Sequence, residues 1–202
     1  MNKITHLQNY AIYLKFIQRE LDRLFEKQKE YLCCDKGCGK CCKGGQFHYS
    51  EIEFMYLLTG YMKLDNETQI LIDDRIKKII EDKKNFKGKT FKYNCPFLVK
   101  EVCSVYEYRG VICRSFGLMI QDYTGKINVP FCAYEGLSYS KVLDTKTNDI
   151  SEEKVTQGGY KERPLGFNAG YHDLTSEEYE KNFNVKFENK KPMIEWYDIS
   201  SE

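Results

Sequence analysis

The thirteen residues from Cys33 to Gly45, Cys-Cys-Asp-Lys-Gly-Cys-Gly-Lys-Cys-Cys-Lys-Gly-Gly, hold five of the nine cysteines and four of the fourteen glycines of the chain. The stretch has neither the apolar period of a helix nor that of a strand. Thiolates at short spacings on glycine-bent backbone are what a soft metal ion or an iron–sulfur cluster needs. The other four cysteines, Cys95, Cys103, Cys113 and Cys132, fall in one later segment, as a second half of the same site would.

How these cysteines are read depends on the compartment. Residues Met1 to Gln8 include Lys3 and His6 and no uninterrupted apolar run, which predicts no secretory signal. No window approaches roughly 18 consecutive apolar residues, so no membrane span is expected. The expected location is the cytoplasm, where thiols stay reduced and clustered cysteines read as a metal site rather than a disulfide framework. With 31 basic against 30 acidic residues, the chain lacks the basic excess of a general nucleic-acid binder. Neither nucleic acid nor membrane is an expected partner.

In Cys34-x3-Cys38-x2-Cys41-Cys42, gaps of two and three residues let successive thiolates converge, because a tight loop reverses in about that distance. Adjacent residues point apart, so Cys41 and Cys42 face different atoms. The first three also match the triad with which radical S-adenosylmethionine enzymes hold a 4Fe-4S cluster. Those enzymes rest on repeated strand-helix units, and here a helix precedes the loop and another follows it. Cys95-x7-Cys103-x9-Cys113, with Cys132, brings the count to eight. That number suits two four-thiolate sites, one cluster with spare thiols, or a binuclear centre. Cys33 is the one left over, expected as a buried thiol capping the helix end.

Arg109 and Arg114 bracket Cys113, either to offset thiolate charge or to pair with a carboxylate such as Glu107 or Asp122. His48, close behind the loop, is either a polar residue at a helix start or a ligand. His6 and His172 have no supporting neighbours. No nucleophile-histidine-acid set or phosphate-cradling glycine loop is present in the spacing.

Apolar residues at Leu7, Tyr10, Leu14, Ile17, Leu21 and Leu24 predict a helix to about Tyr31. Its stripe packs on the domain core or forms a short coiled coil, and the helix is a candidate docking element for a protein partner. Ser50 and Glu53 form a capping box for a helix over about 51–61. Asn66 with Gln69 caps a third helix ending near Lys84. Segments 115–121 and 126–131 flank Asp122-Tyr123-Thr124-Gly125 as a β-hairpin, with Cys113 before it and Cys132 at its far end. Residues 138–168 are polar and turn-rich and read as a surface excursion or mobile loop. Thr175 and Glu178 cap a short helix over about 176–182, and 193–197 reads as a strand. The fold class expected is α+β, helices around a small irregular antiparallel sheet held by a cysteine-ligated metal centre. Its parts are an amphipathic helix (1–32), a cysteine-cluster domain (33–135) and a polar extension (136–202) packed on that domain.

Cys34-x3-Cys38-Gly39-x-Cys41-Cys42, Cys95-Pro96-Phe97-Leu98, Cys103-Ser104-Val105-Tyr106-Glu107-Tyr108-Arg109 and Cys113-Arg114-Ser115-Phe116 occur in that order. Over 34–132 the pattern resembles the YkgJ-type cysteine-cluster family, a zinc- or iron-chelating domain. The family usually has proline where this chain has Gly110 and Gly117. The resemblance implies metal binding, as zinc or a 4Fe-4S-type cluster, by Cys34, Cys38, Cys41, Cys42, Cys95, Cys103, Cys113 and Cys132, in a structural, metal-handling or redox role. Flagellin lysine methylases carry a related module. The alternative it implies is therefore an iron–sulfur enzyme acting on a protein side chain, such as a lysine methyltransferase.

Overall fold

The computed structural model describes residues 3–34, 37–44, 46–122 and 124–201. Helix α1 (Lys3–Gln28) continues into a 3-10 turn over Lys29–Tyr31. Its stripe turns inward: Tyr10, Tyr13, Leu14, Ile17 and Leu21 are buried with Ile52, Val111, Leu118, Leu174 and Phe187. Each such side chain contributes about 1.5–3 kcal/mol on leaving water. The coiled-coil alternative is thus excluded for this face, since the chain covers it itself. Ile4 and Ile12 lie on the outer side and stay exposed.

After β1 (His48–Tyr49), α2 (Glu51–Tyr61) begins at the Ser50–Glu53 capping box. Helix α3 (Asn66–Asn85) is capped by Asp65, whose carboxylate accepts the Thr68 N–H at 2.8 Å. Asn66 is therefore not the cap: Gln69 donates instead to the carbonyl oxygens of Tyr61 and Leu64. Phe54 and Leu57 of α2 meet Ile72, Ile76 and Ile79 of α3, and Phe97, Met193, Ile194 and Trp196 complete this second core.

Instead of the single sheet expected, the strands among the described residues form four separate two-stranded antiparallel ladders. Strands β2 (Leu98–Val99) and β3 (Val102–Cys103) are joined by Lys100 and Glu101, both at positive φ. That is the two-residue turn whose twist suits a tight hairpin. The short helix α4 (Val111–Ser115) carries Cys113. Strands β4 (Ile120–Gln121) and β5 (Ile127–Asn128) form the expected hairpin in shortened form, with Gly125 at φ +82° and Cys132 in the 3-10 turn that follows.

The stretch over 138–168 is no loose excursion. Strands β6 (Leu143–Asp144) and β7 (Asp149–Ile150) and helix α5 (Glu152–Gln157) build a third core. There Tyr139, Val142, Leu143, Ile150 and Val155 bury against Met119 and Ala133. Its few apolar residues nearly all point inward, which average polarity conceals. Helices α6 (Tyr171–Leu174) and α7 (Glu177–Phe183) follow, and the cap of α7 is Ser176 rather than Thr175. The last strand, β8 (Lys191–Pro192), pairs with β1 and precedes the expected 193–197 strand, which is a 3-10 run instead. The indole N–H of Trp196 donates to the Tyr49 carbonyl at 3.0 Å, and the coiled run brings it there.

Candidate metal centre

All nine cysteines are free. Cys34, Cys38, Cys41, Cys42, Cys95, Cys103, Cys113 and Cys132 all line one cavity of about 450 Å³, and Cys33 does not, being exposed rather than buried. The loop reaches this wall through two backbone bonds. Cys95 N–H donates to the Cys42 carbonyl at 2.7 Å, and Gly44 N–H donates to the Tyr93 carbonyl at 3.1 Å. Cys103 arrives on β3, Cys113 on α4 and Cys132 on the turn after β5.

The cysteines are linked across the wall through Cys41, whose charge acts on Cys34, Cys103 and Cys113. Cys34 lies 3.6 Å from the buried Ser138 hydroxyl, which also accepts the Cys33 N–H at 2.9 Å. Cys132 feels both Cys34 and Cys38 electrostatically, whereas Cys41 is coupled to Cys42, and Cys42 to Cys95 and Cys103. Cys113 touches the Tyr49 hydroxyl at 3.3 Å. Among the described residues, no group of three or more His, Cys, Asp or Glu side chains is set to hold a metal ion as it stands. The donor set nonetheless fits zinc or iron, because eight sulfurs line the cavity and outnumber its carboxylates, Asp22, Glu26 and Glu101. Ligation would draw them in from its wall.

Burial keeps several of these groups as thiols. It raises Cys34, Cys103 and Cys113, and pushes Cys132 up to about 11. Cys41 is raised first by its hydrogen bond with Cys42 and then by burial. For Cys42 the bond from Cys41 favours the thiolate, but Cys95 and burial outweigh it and carry the thiol to about 12. A metal must displace these protons, so binding releases them. In the metal-free protein such a thiol ionises near 9 when unfolded and only at higher pH when folded. The folded state then holds more protons above roughly pH 8.5, and stability falls as pH rises. Denaturant unfolding of metal-free protein at pH 7, 8.5 and 9.5 is expected to show that decline, whereas the metal-loaded form, whose ligands have already lost their protons, gains stability up to about pH 9. A metal-free protein that gains stability over this range contradicts the assignment.

Four basic side chains line the wall, Lys29, Lys40, Arg109 and Arg114, and Arg109 bears on the thiolates. The Arg109 guanidinium lies 3.5 Å from the centre of the Tyr106 ring, its Nε donates to the Tyr106 carbonyl at 2.9 Å and its Nη1 to the Cys113 carbonyl at 3.2 Å. It favours the thiolates of Cys41, Cys103 and Cys113. Arg114 serves otherwise, holding the carbonyls of Arg109 and Glu107 and the Gln18 side chain. His48 is exposed on β1 and is not part of the lining.

Several contributors were invisible in the spacing. Glu53 is fully buried. Its carboxylate accepts Ser50 N–H and Oγ–H at 2.8 Å each, Val111 N–H at 2.9 Å and the Tyr171 hydroxyl. Burial raises its pKa above the usual carboxylate value, while these donors favour the ionised form and limit the rise. The bond to Val111 fixes the start of α4, and with it Cys113. Gly110 and Gly117 are closely surrounded. Gly117 has φ +111°, which proline cannot adopt, and a Cβ there would sit 2.5 Å from Cys34 Sγ. Gly110 donates its N–H to the Tyr49 hydroxyl at 3.0 Å, a bond proline could not make. Sequence alone marks these glycines only as departures from a pattern.

Residues 33–133 match the family model CxxCxxCC, described as a putative zinc- or iron-chelating domain. No curated protein and no solved structure matches the chain. Among the described residues no helix is long and apolar enough to cross a membrane.

Proposed function

The chain belongs to the zinc- or iron-chelating CxxCxxCC family, and from that premise we propose that Cys34, Cys38, Cys41, Cys42, Cys95, Cys103, Cys113 and Cys132 hold the metal, as a 4Fe-4S-type cluster or as zinc, in a structural, metal-handling or redox role. The observation that carries this reading is the selection made by the cavity: eight cysteines from two separated segments line it, and the ninth does not. Sulfur ligands select zinc and iron–sulfur centres over hard cations, and Arg109 offsets part of the thiolate charge. Protein purified without oxygen tests it. Brown colour with iron and acid-labile sulfide supports a cluster, and a colourless protein with stoichiometric zinc supports a zinc centre. Absence of both metals, with all nine thiols freely titratable, overturns it.

A second reading, an iron–sulfur enzyme acting on a protein side chain, is favoured by one feature. The cavity extends beyond the sulfurs to Phe47, Phe97 and Phe116 and, on the α1 side, to Gln18, Asp22, Glu26 and Lys29. A guest with an apolar stem and a polar end would find matching surfaces there. Cleavage of S-adenosylmethionine by the reduced protein supports it, and an inert reduced cluster counts against it.

A further inference from the structure

Tyr49 is 2% exposed, and its hydroxyl is fixed on every side. Its backbone is held by the β1–β8 pairing with Lys191 and by the Trp196 indole. The hydroxyl oxygen accepts the Gly110 N–H at 3.0 Å and lies 3.3 Å from Cys113 Sγ. A backbone N–H can only donate. The hydroxyl therefore receives at that contact, and its own hydrogen remains for the sulfur.

We propose that Tyr49 is a positioning residue that donates a hydrogen bond to the metal-bound sulfur of Cys113 and thereby sets the affinity and electronic character of the centre. This rests on the metal reading above. A metal-bound thiolate is anionic, and a hydrogen bond to it is charge-assisted. The bond withdraws electron density from sulfur, and such outer contacts tune metal affinity and potential. Neither Cys113 nor Gly110 can drift from this oxygen easily, because Glu53 pins the adjoining Val111 N–H at 2.9 Å.

Cobalt(II), bound to the full chain without oxygen, is the probe, because its thiolate charge-transfer band reports the electron density on sulfur. Tyr49→Phe keeps the ring and removes the hydroxyl. It is expected to weaken cobalt about 10- to 100-fold in chelator competition and to move the band to lower energy. Tyr171→Phe removes a hydroxyl from the Glu53 network without touching sulfur, and is expected to leave the band in place. If the phenylalanine variant does not fold, 3-fluorotyrosine at position 49 carries the test. Its more acidic hydroxyl is a stronger donor and moves the band to higher energy. A Tyr49→Phe variant with wild-type affinity and band, an equal shift from Tyr171→Phe, or an unmoved band with fluorotyrosine overturns the proposal. Wild-type protein that shows no cobalt–thiolate band and, purified without oxygen, carries neither iron nor zinc overturns the metal reading as well, which distinguishes the two failures.

Discussion

Stripping the metal by anaerobic chelation, or replacing Cys38, Cys41 and Cys103 together by alanine, is expected to remove on the order of 10 kcal/mol of apparent folding free energy. The cause lies in how little else holds the cysteine loop. Its 3-10 turn over Lys40–Cys42 buries no side chain. Apart from surface ion pairs of Lys40 with Glu135 and Lys43 with Glu101, which contribute little, the described residues of the loop are held by the backbone bonds to Tyr93 and Cys95 and by Ser138. Calorimetry is expected to show loss of the cooperative transition in this region, with amide exchange over 37–44 fastest. The α1 core, which contains no cysteine, keeps its protection longest. A triple variant melting like the loaded wild type would sink the idea that metal organises this loop.

Glu53→Ala is expected to cost about 3 kcal/mol or more, since it strands two backbone donors and two hydroxyls in a buried site. For a chain of this length that corresponds to roughly 6–12 °C in melting temperature. The variant is also expected to lower metal occupancy, because the start of α4 is no longer held and Cys113 moves with it. Thermal unfolding with and without metal, beside metal analysis, measures both effects. A Glu53→Ala protein with unchanged melting would show that water replaces the carboxylate, contrary to the full burial of the group.

Much of the site was legible because its chemistry is written in residue type. Eight cysteines were singled out by spacing and by family resemblance, and all eight line the cavity. Local helices were legible for a similar reason: the α1 stripe repeats its period, and Ser50 with Glu53 marks the start of α2. What escaped was set by distant contacts. Nothing near His48–Tyr49 announces a partner at Lys191–Pro192, and nothing near Ser138 announces Cys34. Glu53 was recognised as a cap, but its bonds to Val111 and Tyr171 arise only when α4 and α6 pack on α2. The 138–168 segment misled because burial there depends on a handful of positions, which a polar average hides. At α3 and α7 the cap lies one residue from the position expected, since Asp65 and Ser176 compete with neighbours of similar chemistry.

The β1–β8 ladder also has a bearing on the order of events during synthesis. Met193 lines the cavity and Trp196 braces Tyr49, yet a chain growing on the ribosome presents every thiol before either residue has been made. Cysteines emerging early have no back wall behind them, so metal captured then would be held by an open, wet loop. The finished environment forms only when the later segment closes over β1, so a complete wall for a metal waits on the synthesis of Met193 and Trp196.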